Sequence, residues 1–148
     1  MERGIEPEVR MVGITYTEIT LLNAGDVSNA RRGIIKAAEI RKTTVRALVD
    51  TGAATLVINE AMRQKLGLGI ESVGDVTLAD GETEECQFTE PVKVCWKNRS
   101  TSCEAMVMVH GDEVLLGAIP MEAMDLTVNP ARQEVTGAHG DRVLLLAK

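Results

Sequence analysis

The residues best suited to chemistry in this 148-residue chain lie in one stretch, Ala47-Leu48-Val49-Asp50-Thr51-Gly52-Ala53-Ala54-Thr55-Leu56-Val57-Ile58. An apolar run leads into an aspartate, a Thr-Gly turn follows, and a second apolar run carries the chain away. An aspartate in a tight turn is ordinarily a turn former whose carboxylate accepts a backbone hydrogen bond. Delivered by a buried strand, the same group can work as a general acid or base if a second carboxyl shares its proton. Two carboxyls about 3 Å apart cannot both ionise, so one stays charged and one protonated, and the resulting pKa values belong to the pair. The sequence holds one Asp-Thr-Gly and no Asp-Ser-Gly. One copy therefore supplies half of such a pair, and a second copy related by a two-fold axis would supply the rest.

Other clusters carry weaker signals. Val109-His-Gly-Asp-Glu-Val-Leu-Leu-Gly-Ala118 and Ala138-His-Gly-Asp-Arg-Val-Leu-Leu-Leu-Ala147 share seven of ten residues. A repeated turn before an apolar strand accounts for this. A metal site built from His110, His139, Asp112 and Asp141 is the alternative, but first-row metals usually take ligands from tighter clusters. No metal and no cofactor is expected. Cys86, Cys95 and Cys103 are odd in number and lack CxxC spacing, so reduced, structural thiols are expected rather than a disulfide framework or a zinc ribbon.

The elements that must position Asp50 are mostly strands. Gly13–Leu22, Gly33–Ile40 and Thr43–Val49 read as strands, with Asn23–Asn29 as a turn-rich break. A helix fits Glu60–Leu66, capped by Asn59 and ended by Gly67. Asp75–Leu78 and Glu84–Phe88 flank an Asp80-Gly81 hairpin turn. Val92–Trp96 and Ser102–Val109 form a second hairpin around Lys97–Ser100. Val114–Gly117 reads as a buried strand end, and Pro120 opens a short helix through Met124. Leu126–Val128 and Gln133–Thr136 flank the Asn129-Pro130 turn, and Arg142–Ala147 is a last apolar strand. Many short strands with regular turn signals and two brief helices predict an all-β barrel or sandwich in a single domain over 1–148, with residues 1–12 as an N-terminal extension.

Composition narrows the function. The net charge of −6 argues against nucleic acid or an anionic membrane as partner. Tyr16, Phe88 and Trp96 are the only aromatics, which leaves an aliphatic core and no platform for stacking bases. No apolar run approaches a membrane span, and the N-terminus lacks the apolar stretch of a secretory signal, so a cytoplasmic location is expected.

Ala47-Leu-Val-Asp50-Thr-Gly-Ala53, the Leu78-Ala-Asp-Gly81 hairpin, Leu115-Leu-Gly117-Ala-Ile-Pro120 (whose Gly117 falls 67 residues after Asp50) and Met124-Asp-Leu-Thr-Val-Asn-Pro130 together resemble the retroviral-type aspartic proteases, and among them the bacterial single-domain members. The resemblance implies a small closed β-barrel of the retropepsin kind, with one Asp-Thr-Gly per protomer, that works as a homodimeric aspartic endopeptidase on protein or peptide substrates. It implies that Asp50 is catalytic and that Thr51 interlocks the two loops across the two-fold axis. Gly52, Ala53 and the Ala54 position would contact substrate, and the Asp80-Gly81 hairpin would close over it as a flap. Leu115, Leu116 and Gly117 would pack beneath the active loop. Dimer contacts would come from that loop and from strands near the chain ends; Val143–Leu146 is either one of these or an interior barrel strand. Two departures stand out. Ala54 occupies a position where viral members carry an aspartate that anchors the substrate backbone, and the flap tip is Asp80-Gly81-Glu82 rather than glycine-rich. A peptide-binding or dimerisation module without hydrolysis is the alternative reading.

Overall fold

The chain alternates apolar and polar residues along most of its strands, and the resulting sheet curls its apolar face around one core. The computed structural model describes residues 14–77 and 80–139. Within them, β1 (Tyr16–Asn23) buries Ile19, Leu21 and Asn23 on one face while Glu18 points outward. It pairs antiparallel with β2 (Lys42–Val49), the strand that ends at Asp50. The other strands are β3 (Leu56–Asn59), β4 (Ile70–Thr77), β5 (Thr83–Thr89), β6 (Val92–Trp96), β7 (Arg99–Cys103), β8 (Ala105–Met108) and β9 (Leu115–Leu116). They form one nine-stranded sheet in the order β4-β5-β8-β3-β9-β2-β1-β6-β7. β10 (Leu126–Asn129) and β11 (Glu134–Gly137) form a separate hairpin.

The expected all-β class with few, short helices is what the chain adopts. The hydrogen-bonded order runs from β4 to β7, and among the described residues these two end strands do not pair with each other, so the sheet curls without its ladders closing. As expected, the core is aliphatic: Leu21, Leu56, Ile58, Leu66, Leu68, Val92, Val94 and Leu116 are essentially inaccessible to solvent. The one tryptophan joins them with its indole N–H donating to Thr17 Oγ1 at 2.8 Å, which meets the polar requirement of a buried ring. Among the described residues no helix is long and apolar enough to cross a membrane.

Several sequence expectations need correction. The turn expected at Asn23–Asn29 is instead helix α1 (Ala24–Arg31). Asn23 is its N-cap, with the side-chain oxygen accepting from Asp26 N at 3.0 Å, and Asp26 places negative charge at the positive end of the helix. The strand expected at Gly33–Ile40 is a turn region with one 3-10 turn, Ala37–Glu39. Several of its backbone donors bond locally, among them Ile34 N to Asn29 O and Ile40 N to Ala37 O, rather than to a strand. The second hairpin is tighter than expected. β6 pairs with β7 from Trp96↔Arg99 onward, leaving Lys97 and Asn98 as the turn, with Lys97 in the left-handed region. Glu104 then interrupts the run, and β8 pairs with β3 and β5 instead.

Helix α2 (Glu60–Lys65) matches expectation, Asn59 Oδ1 accepting from Met62 N at 2.8 Å. Helix α3 spans Ala118–Ala123, so Pro120 stands third rather than first. Proline is tolerated there because the first four helical N–H groups have no intrahelical acceptor. The expected strand Arg142–Ala147, the extension 1–12, Asp141, Leu78 and Ala79 lie outside the described residues.

Candidate active site

Asp50 sits where β2 hands the chain to the Thr-Gly turn, and three backbone hydrogen bonds to two neighbouring segments fix that point. Val49 N donates to Thr15 O at 2.8 Å, Leu48 N to Val114 O at 2.8 Å and Asp50 N to Leu116 O at 3.0 Å. β9 is thereby inserted between β2, which it pairs in parallel, and β3, which it meets antiparallel at Val57↔Leu115. Tyr16 tethers the segment entering β9, its hydroxyl donating to Glu113 Oε2 at 2.7 Å, and that bond raises the phenol's pKa.

The turn closes on itself. Ala53 N donates to Asp50 O at 3.0 Å, and Gly52 N donates to Asp50 Oδ1 at 3.0 Å. The second bond holds the carboxyl group through Oδ1, and Oδ2 has no hydrogen-bond partner among the described residues. Asp50 is half-buried, while Thr51, Gly52 and Ala54 are exposed. Thr51, in particular, offers its hydroxyl outward from the tip of the loop.

Gly117 supports the turn from below. Ala118 N donates to Ala53 O at 2.8 Å and Ile119 N to Ala54 O at 2.9 Å, so the start of α3 is bonded directly to the loop. A Cβ on residue 117 would lie 2.2 Å from Thr55 O and 2.6 Å from Ala53 O, both backbone atoms that cannot step aside. Only glycine fits. Asp50, Thr51, Gly52, Ala53, Ala54, Leu115, Leu116 and Gly117 are therefore one bonded unit.

Asp80 and Gly81 are not part of that unit. They form the exposed tip of the β4–β5 hairpin at the end of the sheet, with Gly81 at φ +87° and Asp80 Oδ1 accepting from Glu82 N at 2.9 Å.

Sequence reasoning passed over a recess of about 320 Å³ beside the loop, walled by Ala54, Thr55, Phe88, Cys103, Glu104 and Ile119. Thr55 Oγ1 donates to Glu104 O at 2.8 Å, and Ile119 remains 53% exposed although it is aliphatic. Burial pushes the Cys103 thiol up, which keeps it protonated. Glu71 is raised by its hydrogen bond to the Glu104 carboxylate, then by burial and by the charges of Glu104 and Glu90. These residues come from five segments, and no local spacing announces them. Of the histidines once weighed as metal ligands, His139 bonds Asp125 Oδ2 through Nδ1 at 2.7 Å. Among the described residues no three His, Cys, Asp or Glu side chains converge as a metal site.

Residues 36–122, more than half of the chain, match the protein family described as "gag-polyprotein putative aspartyl protease". The chain belongs to this aspartic protease family. The match contains the whole Asp50 loop, the Asp80-Gly81 hairpin and the Leu115–Gly117 support, and the retroviral-type resemblance read from the sequence stands. Two solved structures resemble this protease-family chain. EIAV protease complexed with the inhibitor HBY-793 is 28% identical over 51% of this chain and 71% of its own, with a TM-score of 0.42. A retropepsin-like aspartic protease from Rickettsia conorii is 16% identical over 80% of this chain and 89% of its own, with a TM-score of 0.45. No curated protein matches the chain in sequence.

Proposed function

We propose that the protein is a homodimeric aspartic endopeptidase in which two Asp50 carboxyls, one from each protomer, share a proton and activate water against a peptide bond. The observation that carries this reading is the built Asp50 loop. Its carboxyl is fixed through Oδ1 by Gly52 N, and the turn is bonded to Leu116, Ala118 and Ile119 on either side of a glycine whose place against it leaves no room for a side chain. An aspartate serving only as a turn former would not need so exact a support from a strand 65 residues away.

The charged member of the pair accepts a proton from water as it attacks the carbonyl carbon, and the protonated member donates to the carbonyl oxygen. The acid so formed then protonates the leaving amine as the C–N bond breaks, and the other carboxylate takes a proton back from the gem-diol hydroxyl, which restores the shared-proton state. The low-dielectric cleft between protomers makes the two carboxyls hold one proton between them. Exposed Thr51 suits the interlocking contact between the two loops. Gly52, Ala53 and Ala54 would line the backbone of a bound peptide, and the Asp80-Gly81 hairpin would cover it. The three cysteines are all free, which suits the reducing cytoplasm.

One feature favours the alternative of a peptide-binding module without turnover. Ala54 offers no carboxylate where viral relatives anchor substrate, so grip there relies on backbone alone. Incubating parent and Asp50→Asn protein with a diverse peptide library between about pH 4 and 7 separates the two readings. Cleavage by the parent and none by the variant supports the protease; binding with no cleavage by either supports the module.

A further inference from the structure

Another concavity lies between α1 and the β6–β7 ribbon, and it shares no residue with the Asp50 loop. Ser28 and Arg31 are three positions apart on α1 and so lie on one side of the helix. In the ribbon, Lys93 pairs with Ser102 and Cys95 with Ser100, which puts Lys93, Ser100 and Ser102 on one face. That face points away from the core, because Val92, Val94 and Trp96 occupy the buried one. Helix and ribbon enclose about 290 Å³ bordered by Ser28, Arg31, Lys93, Ser100, Thr101 and Ser102.

The chemistry of this pocket runs against that of the whole chain. The protein carries 22 acidic residues against 16 basic ones, yet no carboxylate lines this pocket. Arg41, Arg63, Arg99 and Arg132 each face a carboxylate, and Arg46 lies over the Tyr16 ring. Arg31 and Lys93, like Arg32, Lys36, Lys42 and Lys65, have no ion-pair partner among the described residues, but these two border one pocket. Two unpaired cations of different type, beside the hydroxyl side chains of Ser28, Ser100 and Ser102, make a donor-rich site suited to a tetrahedral oxyanion.

We propose that the α1/β6–β7 pocket binds a phosphoryl group. Arg31 and Lys93 supply charge, and the hydroxyls of Ser28, Ser100 and Ser102 supply further donors. The volume exceeds that of a lone phosphate and leaves room for the group that carries it. Free phosphate and a phosphorylated side chain offer the same chemistry, and the experiment separates them.

Inorganic phosphate, a phosphoserine peptide and its unphosphorylated twin are titrated into the full chain at low ionic strength, with binding followed by calorimetry. Saturable binding of phosphate alone identifies a free-anion site, and tighter binding of the phosphopeptide than of its twin identifies a carried phosphoryl group; either upholds the proposal. Arg31→Gln and Lys93→Gln are expected to weaken binding by about tenfold or more. Arg32→Gln changes the next residue, exposed and outside the pocket, and is expected to bind as the parent does. Thermal unfolding without phosphate checks that each variant is folded, and exposed Arg31 decides the matter if Lys93→Gln is not. Absence of saturable binding by both ligands, or an equal loss in Arg32→Gln, overturns the proposal.

Discussion

At the scale of single residues, the Asp50 loop depends on a position with no side chain at all. Gly117→Ala would drive a methyl group into Thr55 O and Ala53 O. The expected cost is about 3 kcal/mol or more, read from the urea unfolding midpoint, with loss of peptide cleavage. A variant as stable and active as the parent would contradict the tight support described for the loop. Thr15 gives the opposite expectation. Its backbone oxygen holds Val49 N, but its buried hydroxyl has no hydrogen-bond partner among the described residues. Thr15→Val keeps the shape and removes the unsatisfied group, so stability should be unchanged or rise by about 1 kcal/mol. A clear loss would mean that the hydroxyl finds a partner in the assembled protein. Asp50, Thr51, Gly52 and Gly117 could all be picked out in the sequence, because a strand-turn-strand aspartate and a later apolar-apolar-Gly are local patterns. Thr15, Phe88, Glu104 and Ile119 could not, since their proximity to the loop is made by strand pairing between distant segments.

At the scale of elements, the junction of α1 with β1 and β2 concentrates the polar interactions. Asn23 caps α1 and also donates through Nδ2 to Leu66 O at 2.9 Å, tying the helix to the end of α2. Arg41 grips buried Asp26 through Nε and Nη2 at 2.8 and 2.9 Å, and its backbone N–H adds a third bond at 2.9 Å. The Arg41 guanidinium therefore holds the Asp26 carboxyl below its ordinary range. Because the folded-state pKa is the lower one, this stabilisation is fully present above the unfolded value of about 4 and is lost as pH falls through the folded value. Asp26→Asn should cost about 1–3 kcal/mol at neutral pH and flatten the acid limb of stability against pH. An unchanged acid limb would contradict the pairing. This junction is also where the sequence misled. Asn-Ala-Gly-Asp has the residues of a turn, and only the bond from Asp26 N to Asn23 Oδ1 reveals a helix cap. The apolar Gly33–Ile40 run has strand composition but no neighbouring edge to join. The β4–β5 hairpin and the β10–β11 hairpin were legible because Asp-Gly and Asn-Pro turns mark them directly.

At the scale of the whole molecule, one chain presents one Asp50 carboxyl held through Oδ1 and one exposed Thr51. Membership in an aspartic protease family and the mostly β fold follow from the chain itself; assembly into an active pair is the step proposed. Mixing parent protein with excess-free, equal amounts of Asp50→Asn protein, after exchange of subunits, tests that step most directly. If each active site takes one Asp50 from each of two protomers, only parent–parent dimers cleave peptide, and activity at equal mixing falls to about one quarter of that of undiluted parent at the same total concentration. Activity near one half, the value for chains that each work alone, would contradict the account.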